Sequence, residues 1–546
     1  MQPAAFRPAF GSSDAPHATV SGLRIVLAVV LALLPFGGLS AAIPAAAQTP
    51  TTLVVDTTAE AESLDPALVT QFSGNSIINS VFDSLIERDY TGALVPMLAE
   101  SWSFPDPSTI EFKLRQGVSF HNGEPFNAAS VKFSIERLFD PQLKSPLLGG
   151  WPKAFQLQPT ADGPATGSIE IVDDYTVRFH LATPDATIFD AIATSGAMLP
   201  PQYYGQNSED VLSTQPVGSG PFTFVESVRD DHTTLARNPK YWGTDTYKGA
   251  PLVPTVVFRP VPDAGTRMAD LLNGTADMIF DVSPDDLSTL RGRASDGYQV
   301  VTGNASAKLQ FVEFMPKKAT DPLADRRVRQ ALNHAVNVEA IVSNLFNGLG
   351  ARQSSPILTD ALGYDPSLPA YDYNPTFAKQ LLADAGYPNG FAATMDLSSS
   401  DNRSEALAVI GQLQQVGVNV KPNPLELGLF NANWSQDKSS DMRFARWGGL
   451  QDPAVFLNFT SVCGGYLADS FTCDPEATAL AQQAANTLDP SVRAGLYSRV
   501  ARLLNDNPMG IYLANDVSIY GVGPRVSGWR GPTGRDFLIP TNITLQ

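Results

Sequence analysis

The sequence predicts an α/β fold, and three observations support this prediction. Short segments in which apolar and polar residues alternate are typical of half-buried strands. They are interleaved with segments of helical period that begin at capping residues. No internal repeat or low-complexity linker interrupts this mixture, and the 546 residues, 43% of them hydrophobic, suffice for about two to four folding units.

The first element is an apolar run at 25–34, preceded by arginines and followed by Pro, Gly and an Ala-x-Ala site. This order is typical of a secretory signal peptide, here cleaved near Gln48. The alternative is a membrane anchor, but so short a run does not span ~30 Å of hydrocarbon. We therefore expect residues 1–47 to be a signal peptide and the mature chain to be exported.

The mature chain opens with strands. TLVVD (52–56), TIEFKLR (109–115) and TVRFHL (176–181) fit strands, the last two by their alternation of apolar and polar residues. Between the second and third lies FNAASVKFSIERLF (126–139), whose apolar residues recur with helical spacing. Asn127 is positioned to cap this helix.

The second half of the mature chain is richer in helix. Strand-like segments at 416–420 and 509–514 lie between or after its helices. The predicted helices begin at residues whose side chains accept hydrogen bonds from a first helical turn: Asp325, Asn337, Asn374, Asp474 and Asp489. Because no linker separates the elements, we expect domains between which the chain passes more than once.

The charge argues against a nucleic-acid partner, and the motifs favour a binding protein over an enzyme. The formal charge of −18 argues against a nucleic-acid partner, which requires a basic face. No G-x-S-x-G or H-E-x-x-H occurs, and the S-x-x-K at Ser435 lacks the K-T-G partner of serine acyl enzymes. The five histidines are scattered, and His121 fits a turn residue that bonds to backbone. We therefore predict no catalytic residue, metal site or cofactor.

The only cysteines, Cys463 and Cys473, are close in sequence and lie in the exported part of the chain. Two thiols without a nearby histidine make a poor zinc site, which is the alternative interpretation. An oxidising compartment favours a disulfide between them.

Several sequence segments together resemble those of a known protein family. They are LVPMLAESW, TIEFKLRQGVSFHNGEPFNAASVKFSIERL, PVGSGPF, ARNPKYW, DLLNGTADMIF, DPLADRRVRQALNHAVNVEAI and AKQLLADAGYPNGF, in this order. The chain is similar over nearly all of its mature length to the solute-binding proteins of peptide/nickel-type ABC importers, which are bacterial extracellular solute-binding proteins of family 5. The resemblance implies a two-lobed periplasmic-binding-protein type II fold in its large three-domain, dipeptide-receptor-like form. It also implies a monomer that encloses a ligand between its lobes and docks on an inner-membrane permease.

On this resemblance we expect three domains in the mature chain. The lobe I core comprises 48–82, 215–302 and 506–546; an accessory domain of lobe I comprises 83–214; and lobe II comprises 303–505. Glycine-rich turns such as VGSGPF suit crossings between lobes, because glycine accepts unusual backbone angles.

The family also implies that the segment RWGGLQDPAVFLN (446–458) lines the cleft. Trp447 offers a flat face for stacking, and Gly448 and Gly449 let a ligand approach the backbone. Alternation along a strand aims Arg446 away from Trp447, which favours a solvated or interdomain arginine over a carboxylate clamp. We expect Trp447→Ala to weaken ligand binding by at least about tenfold, with little effect on the thermal stability of the unliganded protein.

Peptide receptors of this family carry an aspartate where this chain has Gly449, so the usual partner of a peptide's ammonium group is missing. Phe72, Asn75 and Arg403 are further cleft candidates by position, although core packing explains Phe72 equally well. The leading hypothesis is a periplasmic receptor for a small peptide-like or other polar organic solute. The alternatives are a metal–chelate receptor of the nickel type, weakened because no histidine follows His334, and a periplasmic hydrolase.

Overall fold

The computed structural model describes residues 51–546 with short gaps at 153, 156–157, 161–162, 167, 284–285, 304–307, 347–348, 399–402, 427–428, 431–432, 434–438, 449–450, 466–470, 516 and 535. The predicted signal peptide and the S-x-x-K segment lie outside the described residues. Within the described ranges, no helix combines the length and apolar character that crossing a membrane requires.

The strands of the described residues are, in chain order, β1 Thr52–Thr57, β2 Ile86–Arg88, β3 Leu94–Pro96, β4 Ala99–Asp106, β5 Thr109–Leu114, β6 Gln158–Thr160, β7 Gly163–Thr166, β8 Ile169–Asp173, β9 Thr176–His180, β10 Phe222–Val228, β11 His232–Arg237, β12 Thr255–Pro260, β13 Met278–Ile279, β14 Gln299–Thr302, β15 Lys308–Phe314, β16 Phe391–Ser398, β17 Val418–Leu425, β18 Met442–Gly448, β19 Gly510–Asn515, β20 Ile519–Val522, β21 Val526–Ser527 and β22 Thr544–Leu545.

The α-helices are, likewise in chain order, α1 Phe72–Val81, α2 Ala128–Leu138, α3 Ile188–Ser195, α4 Pro201–Gln206, α5 Glu209–Leu212, α6 Ala264–Asn273, α7 Leu287–Gly292, α8 Arg326–Ala335, α9 Val338–Leu345, α10 Pro375–Asp384, α11 Arg403–Gln415, α12 Ala454–Thr460, α13 Pro475–Ala485 and α14 Pro490–Asp506. A 3-10 turn spans Pro146–Gly150.

Lobe I is built on a seven-stranded sheet with the order β10-β11-β12-β1-β13-β20-β14. The central strand β1 runs parallel to β12 and β13, while the outer pairs are antiparallel. One core packs β1 and its neighbours against α1 and the C-terminal segment. A second core holds α6 and α7 together with β13 and β20.

The accessory part of lobe I contains a four-stranded sheet with the order β4-β5-β9-β8. Its hydrophobic core combines this sheet with α2 and α3 and includes the buried rings of Phe112, Phe126 and Phe179. The 3-10 turn packs on the same core through Leu147 and Leu148. This turn therefore has a fixed position at the surface of the accessory domain.

Lobe II is built on a five-stranded sheet with the order β17-β16-β18-β15-β19. Strand β16 is parallel to β17 and β18, whereas β15 is antiparallel to both β18 and β19. Helices α8 to α11 cover one face, and α12 to α14 cover the other. The sheet thus has an apolar core on each side, as expected for an α/β layer structure.

Among the described strands, the chain passes between the two large sheets twice: from β14 to β15 and from β19 to β20. The two crossings touch, because Gly303 donates its amide to Ser518 O at 2.7 Å. Lys308 also hydrogen bonds to Ser518 and lies 3.5 Å from Asp536. The sequence-based division assigns residues from 506 onward to lobe I, whereas β19 pairs with β15 in lobe II.

Candidate functional site

Trp447 lies near the end of β18, at the edge of lobe II that faces the crossings. It pairs with Leu309 of β15, while Arg446 pairs with Gln310. Because successive side chains in a strand alternate between faces, Trp447 and Arg446 project to opposite sides of the sheet. Trp447 joins the core beneath α12, and the opposite orientation of Arg446 stays a prediction from strand alternation.

The indole of Trp447 is held by two phenylalanines of α12. Its ring centroid lies 5.7 Å from that of Phe456 and 5.6 Å from that of Phe459. Phe456 packs in turn edge-on against Phe311 at 5.5 Å. The side chain of Met315 contacts the same cluster. Trp447 is therefore half-buried and held by aromatic packing.

Asp452, the acidic residue of the segment 446–458, stabilises the fold of lobe II. Its carboxylate accepts a hydrogen bond from Ala454 N at 3.1 Å and forms a buried ion pair with Arg493 at 2.7 Å. The helix itself starts from Pro453, which supplies no side-chain cap. Asp452, which the sequence predicts as the N-cap, thus accepts from the first turn of α12 from one position before the observed N-cap Pro453, and it ties α12 to α14.

The other predicted site residues are dispersed. Gly448 pairs with Lys308 at the start of β15, and Gly449 lies outside the described residues. Arg403 begins α11, and Phe72 begins α1. Asn75 donates its side-chain amide to Gln71 O at 2.9 Å within α1.

The described residues include two contacts between the accessory domain and lobe II, and sequence reasoning missed both. A Cβ atom built on Gly149, in the 3-10 turn, would lie 2.5 Å from Cζ of Phe459. The amide of Ala186, just before α3, donates to Ala485 O at the end of α13, at 2.8 Å. No local pattern signals such contacts, because each depends on how two separate domains meet.

A carboxylate lies beside the second contact. Asp185 is buried and accepts hydrogen bonds from Thr187 N at 2.9 Å and Thr187 Oγ1 at 2.6 Å. Burial raises the pKa of Asp185, while these hydrogen bonds and the positive charge of Arg493 oppose the rise. An acidic group of the accessory domain therefore lies near the Asp452–Arg493 pair of lobe II.

The remaining predictions concern chemistry. His121 lies half-buried in a surface turn, where its Nε2 is 3.0 Å from Gly220 O, and burial of the ring lowers its pKa. It thus bonds to backbone, as predicted, but to that of the distant VGSGPF loop. Across the described ranges, no group of three or more His, Cys, Asp or Glu residues is arranged to hold a metal ion. Cys463 and Cys473 form the predicted disulfide, which is confirmed.

Comparison with known proteins agrees with this architecture. The chain is 29% identical over 506 residues to heme-binding protein A of Haemophilus influenzae, covering 88% of this chain and 90% of that protein. It is 28% identical over 542 residues to di/tripeptide-binding protein 2 of Pseudomonas aeruginosa, covering 94% and 98%. The structure of the periplasmic binding protein DppA from Helicobacter pylori with the peptide STSA superposes with a TM-score of 0.77 at 26% identity, covering 90% and 98%.

These similarities confirm the two-lobed type II fold that the resemblance implied. The family model described as bacterial extracellular solute-binding proteins, family 5 Middle, matches residues 93–467. That range includes most of the accessory domain, the crossing from β14 to β15 and the Trp447 segment. The chain therefore belongs to the bacterial extracellular solute-binding proteins of family 5.

Proposed function

We propose that this protein is the periplasmic receptor of an ABC importer and captures a small peptide-like or other polar organic solute between its lobes. Membership of a solute-binding family, in a chain with two lobes joined by two crossings, is the observation that carries the proposal. A relative named for di- and tripeptides and a solved relative holding a peptide support the peptide-like class. The loaded, closed receptor would then dock as a monomer on an inner-membrane permease.

The proposed ligand wall is Trp447 with Gly448 and Gly449. The half-buried indole offers an open surface next to the other lobe, and stacking there contributes ~0.5–1.5 kcal/mol beyond area burial. Phe72, Asn75 and Arg403 stay proposals by position. Arg446 alternates with Trp447 along β18, which favours a solvated or interdomain arginine over a contact with the ligand. Such a cleft needs no reactive group, because capture requires only that ligand binds the closed form better.

We also propose domain boundaries that follow the sheets. Lobe I core would comprise 48–82, 215–302 and 516–546, the accessory domain 83–214, and lobe II 303–515. The pairing of β19 with β15 supports moving the last boundary from 506 to 516. Export to the periplasm, through a signal peptide at 1–47, is supported by the sequence pattern and by a structural relative described as periplasmic.

The test is mass spectrometry of the natively purified protein compared with the denatured protein. A co-purifying organic mass of di- or tripeptide size is expected. Its absence, together with no thermal stabilisation by a panel of di- and tripeptides at about a hundredfold excess over a micromolar Kd, would contradict the proposal.

A metal–chelate receptor is the second candidate, because the relative from Haemophilus influenzae is named for heme. Elemental analysis of the same native sample separates the two candidates. Stoichiometric iron or nickel would favour the chelate, whereas a metal-free organic mass favours the peptide-like solute. Turnover of ester or peptide substrates by the purified protein would instead indicate a hydrolase.

A further inference from the structure

Two lobe–lobe contacts lie far along the chain from the crossings and involve no predicted ligand residue except through the packing of Trp447. The first is Phe459 of α12 against Gly149 of the accessory domain. The second is the hydrogen bond between Ala186 and Ala485. Both join the accessory domain to the helical side of lobe II. We propose that these two contacts form a closing latch that sets the affinity for the solute without touching it.

The first contact has no room for a larger residue at position 149. The position that a Cβ atom would take is 2.5 Å from Cζ of Phe459 and 3.4 Å from its Cε1. The ring has little freedom to retreat, because it packs on Trp447 at 5.6 Å and on the buried side chain of Met315. Glycine at 149 is therefore what allows the lobes to approach this closely.

Both sides of the second contact are held in place by hydrogen bonds within their own lobes. The carboxylate of Asp185 accepts two hydrogen bonds from Thr187, within the same loop of the accessory domain. These bonds hold the loop so that the Ala186 amide projects towards lobe II. On the other side, Arg493 donates to Ala484 O at 3.1 Å and fixes the end of α13. A loop and a helix end that are already ordered lose little conformational entropy when they join.

The consequence for binding follows from linkage. A ligand that bridges the lobes binds only the closed form. Its apparent affinity is therefore the affinity of the closed form multiplied by the fraction of ligand-free protein that is closed. Contacts that stabilise the closed form raise this fraction and so raise affinity. The latch thus makes Gly149 and Phe459 affinity-determining residues, and this part of the inference rests on the proposed function.

The chain supplies a matched pair of variants. Gly149 and Gly150 are neighbours in the 3-10 turn, but a Cβ atom on Gly150 meets nothing within 4 Å. Gly149→Leu should therefore oppose closure, whereas Gly150→Leu should not. Overpacking of this kind typically lowers the population of the packed form by about fivefold to about a hundredfold.

Closure is measured without any ligand by joining the second contact covalently. In an Ala186→Cys/Ala485→Cys protein, the hydrogen-bonded backbones bring the two positions within the reach of a disulfide. Oxidised glutathione should form the interlobe bond, which peptide mapping separates from Cys463–Cys473. Adding Gly149→Leu should slow this reaction about tenfold, while adding Gly150→Leu should leave its rate unchanged. Equal rates for the two variants, or no interlobe bond in the parent protein, would overturn the latch.

The effect on capture is read from the co-purifying solute. In the chain without added cysteines, Gly149→Leu should lose that solute during dialysis about tenfold faster than Gly150→Leu. If the two variants lost the solute at equal rates although their cross-linking rates differed, the latch would not determine affinity. A wild-type protein that carries and binds no solute contradicts the proposed function instead, and leaves the cross-linking result standing.

Discussion

The ammonium group of Lys248 is fully buried in lobe I and is surrounded by oxygen atoms. Its neighbours are Asn79 O at 3.2 Å, Phe82 O at 2.9 Å, Asp83 Oδ1 at 2.7 Å and Glu87 Oε1 at 3.1 Å. Asp83 also accepts from Ser219 and Trp242. Those two residues belong to the sequence segments PVGSGPF and ARNPKYW. These segments therefore have a structural role, because they join the core of lobe I to its accessory domain.

Removing this cation should be costly. Lys248→Met leaves two buried carboxylates without their counter-ion, and breaking such a pair typically costs ~3–5 kcal/mol. Urea denaturation followed by tryptophan fluorescence measures the loss. The control is Lys240→Met, an exposed lysine in the neighbouring loop, for which we expect a change within about 0.5 kcal/mol. Equal midpoints for the two variants would show that the cluster contributes nothing.

Trp447 should affect both binding and stability. Trp447→Ala is expected to weaken binding of the co-purifying solute by at least about tenfold. The sequence-based expectation of unchanged stability no longer holds, because the indole packs on Phe456 and Phe459. We now expect a loss of about 1–3 kcal/mol. Trp447→Phe is the control that retains an aromatic ring, and isothermal titration compares the three proteins. Unaltered affinity in Trp447→Ala would remove the residue from the ligand wall.

At the scale of elements, local sequence predicts helix starts well. The predicted caps accept hydrogen bonds from the first turn in each case: Asn127, Asp325, Asn337, Asn374, Asp474 and Asp489. These caps act within a few residues, so the information is local. The predicted opening strand and the alternating strands at 109 and 176 are confirmed for the same reason.

Sheet membership and lobe contacts are less predictable, because they depend on distant partners. Strands β19 and β20 are close in sequence, yet one belongs to lobe II and the other to lobe I. Their apolar patterns are alike, since both are fully buried. The same limit explains the site. The segment around Trp447 was found through family resemblance, whereas Phe459, Gly149 and Ala186 carry no local signal of their contacts.

One ion cluster ties three elements of lobe I together and should respond to pH. Arg259 of β12 bonds to both carboxylate oxygens of Asp56 in β1, at 2.7 and 3.0 Å, and to Asp270 of α6 at 3.0 Å. Burial raises the pKa of Asp56 to about 6, although the charge of Arg259 opposes the rise. The folded protein therefore binds the Asp56 proton more tightly than the unfolded chain does.

The raised pKa of Asp56 determines how the stability of the protein changes with pH. This contribution to stability is complete below the unfolded pKa of about 3.9, and it is lost as pH rises through about 6. The free energy of unfolding of the wild type, relative to Asp56→Asn, should therefore decline between about pH 4.5 and pH 7.5. Urea titrations of both proteins at intervals across this range measure the difference. A difference that stays constant or grows with pH would contradict a raised pKa for Asp56.

At the scale of the whole molecule, the lobes have separate hydrophobic cores. The seven-stranded and four-stranded sheets carry the cores of lobe I, and the five-stranded sheet carries those of lobe II. The chain connects the sheets through two neighbouring crossings. Interfaces of this kind between domains permit relative motion, as a receptor that opens and closes requires.

Separate cores also predict how the ligand-free protein unfolds. After removal of any solute by denaturation, dialysis and refolding, calorimetry should resolve two overlapping transitions, because each lobe can lose its core without the other. Lys248→Met should lower the midpoint of one of them only, since Lys248 lies wholly within lobe I. A solute that bridges the lobes should raise and merge the transitions, because it is released only when the lobes separate. A single two-state transition in the solute-free protein, shifted as a whole by Lys248→Met, would instead mean that the lobes fold as one cooperative unit.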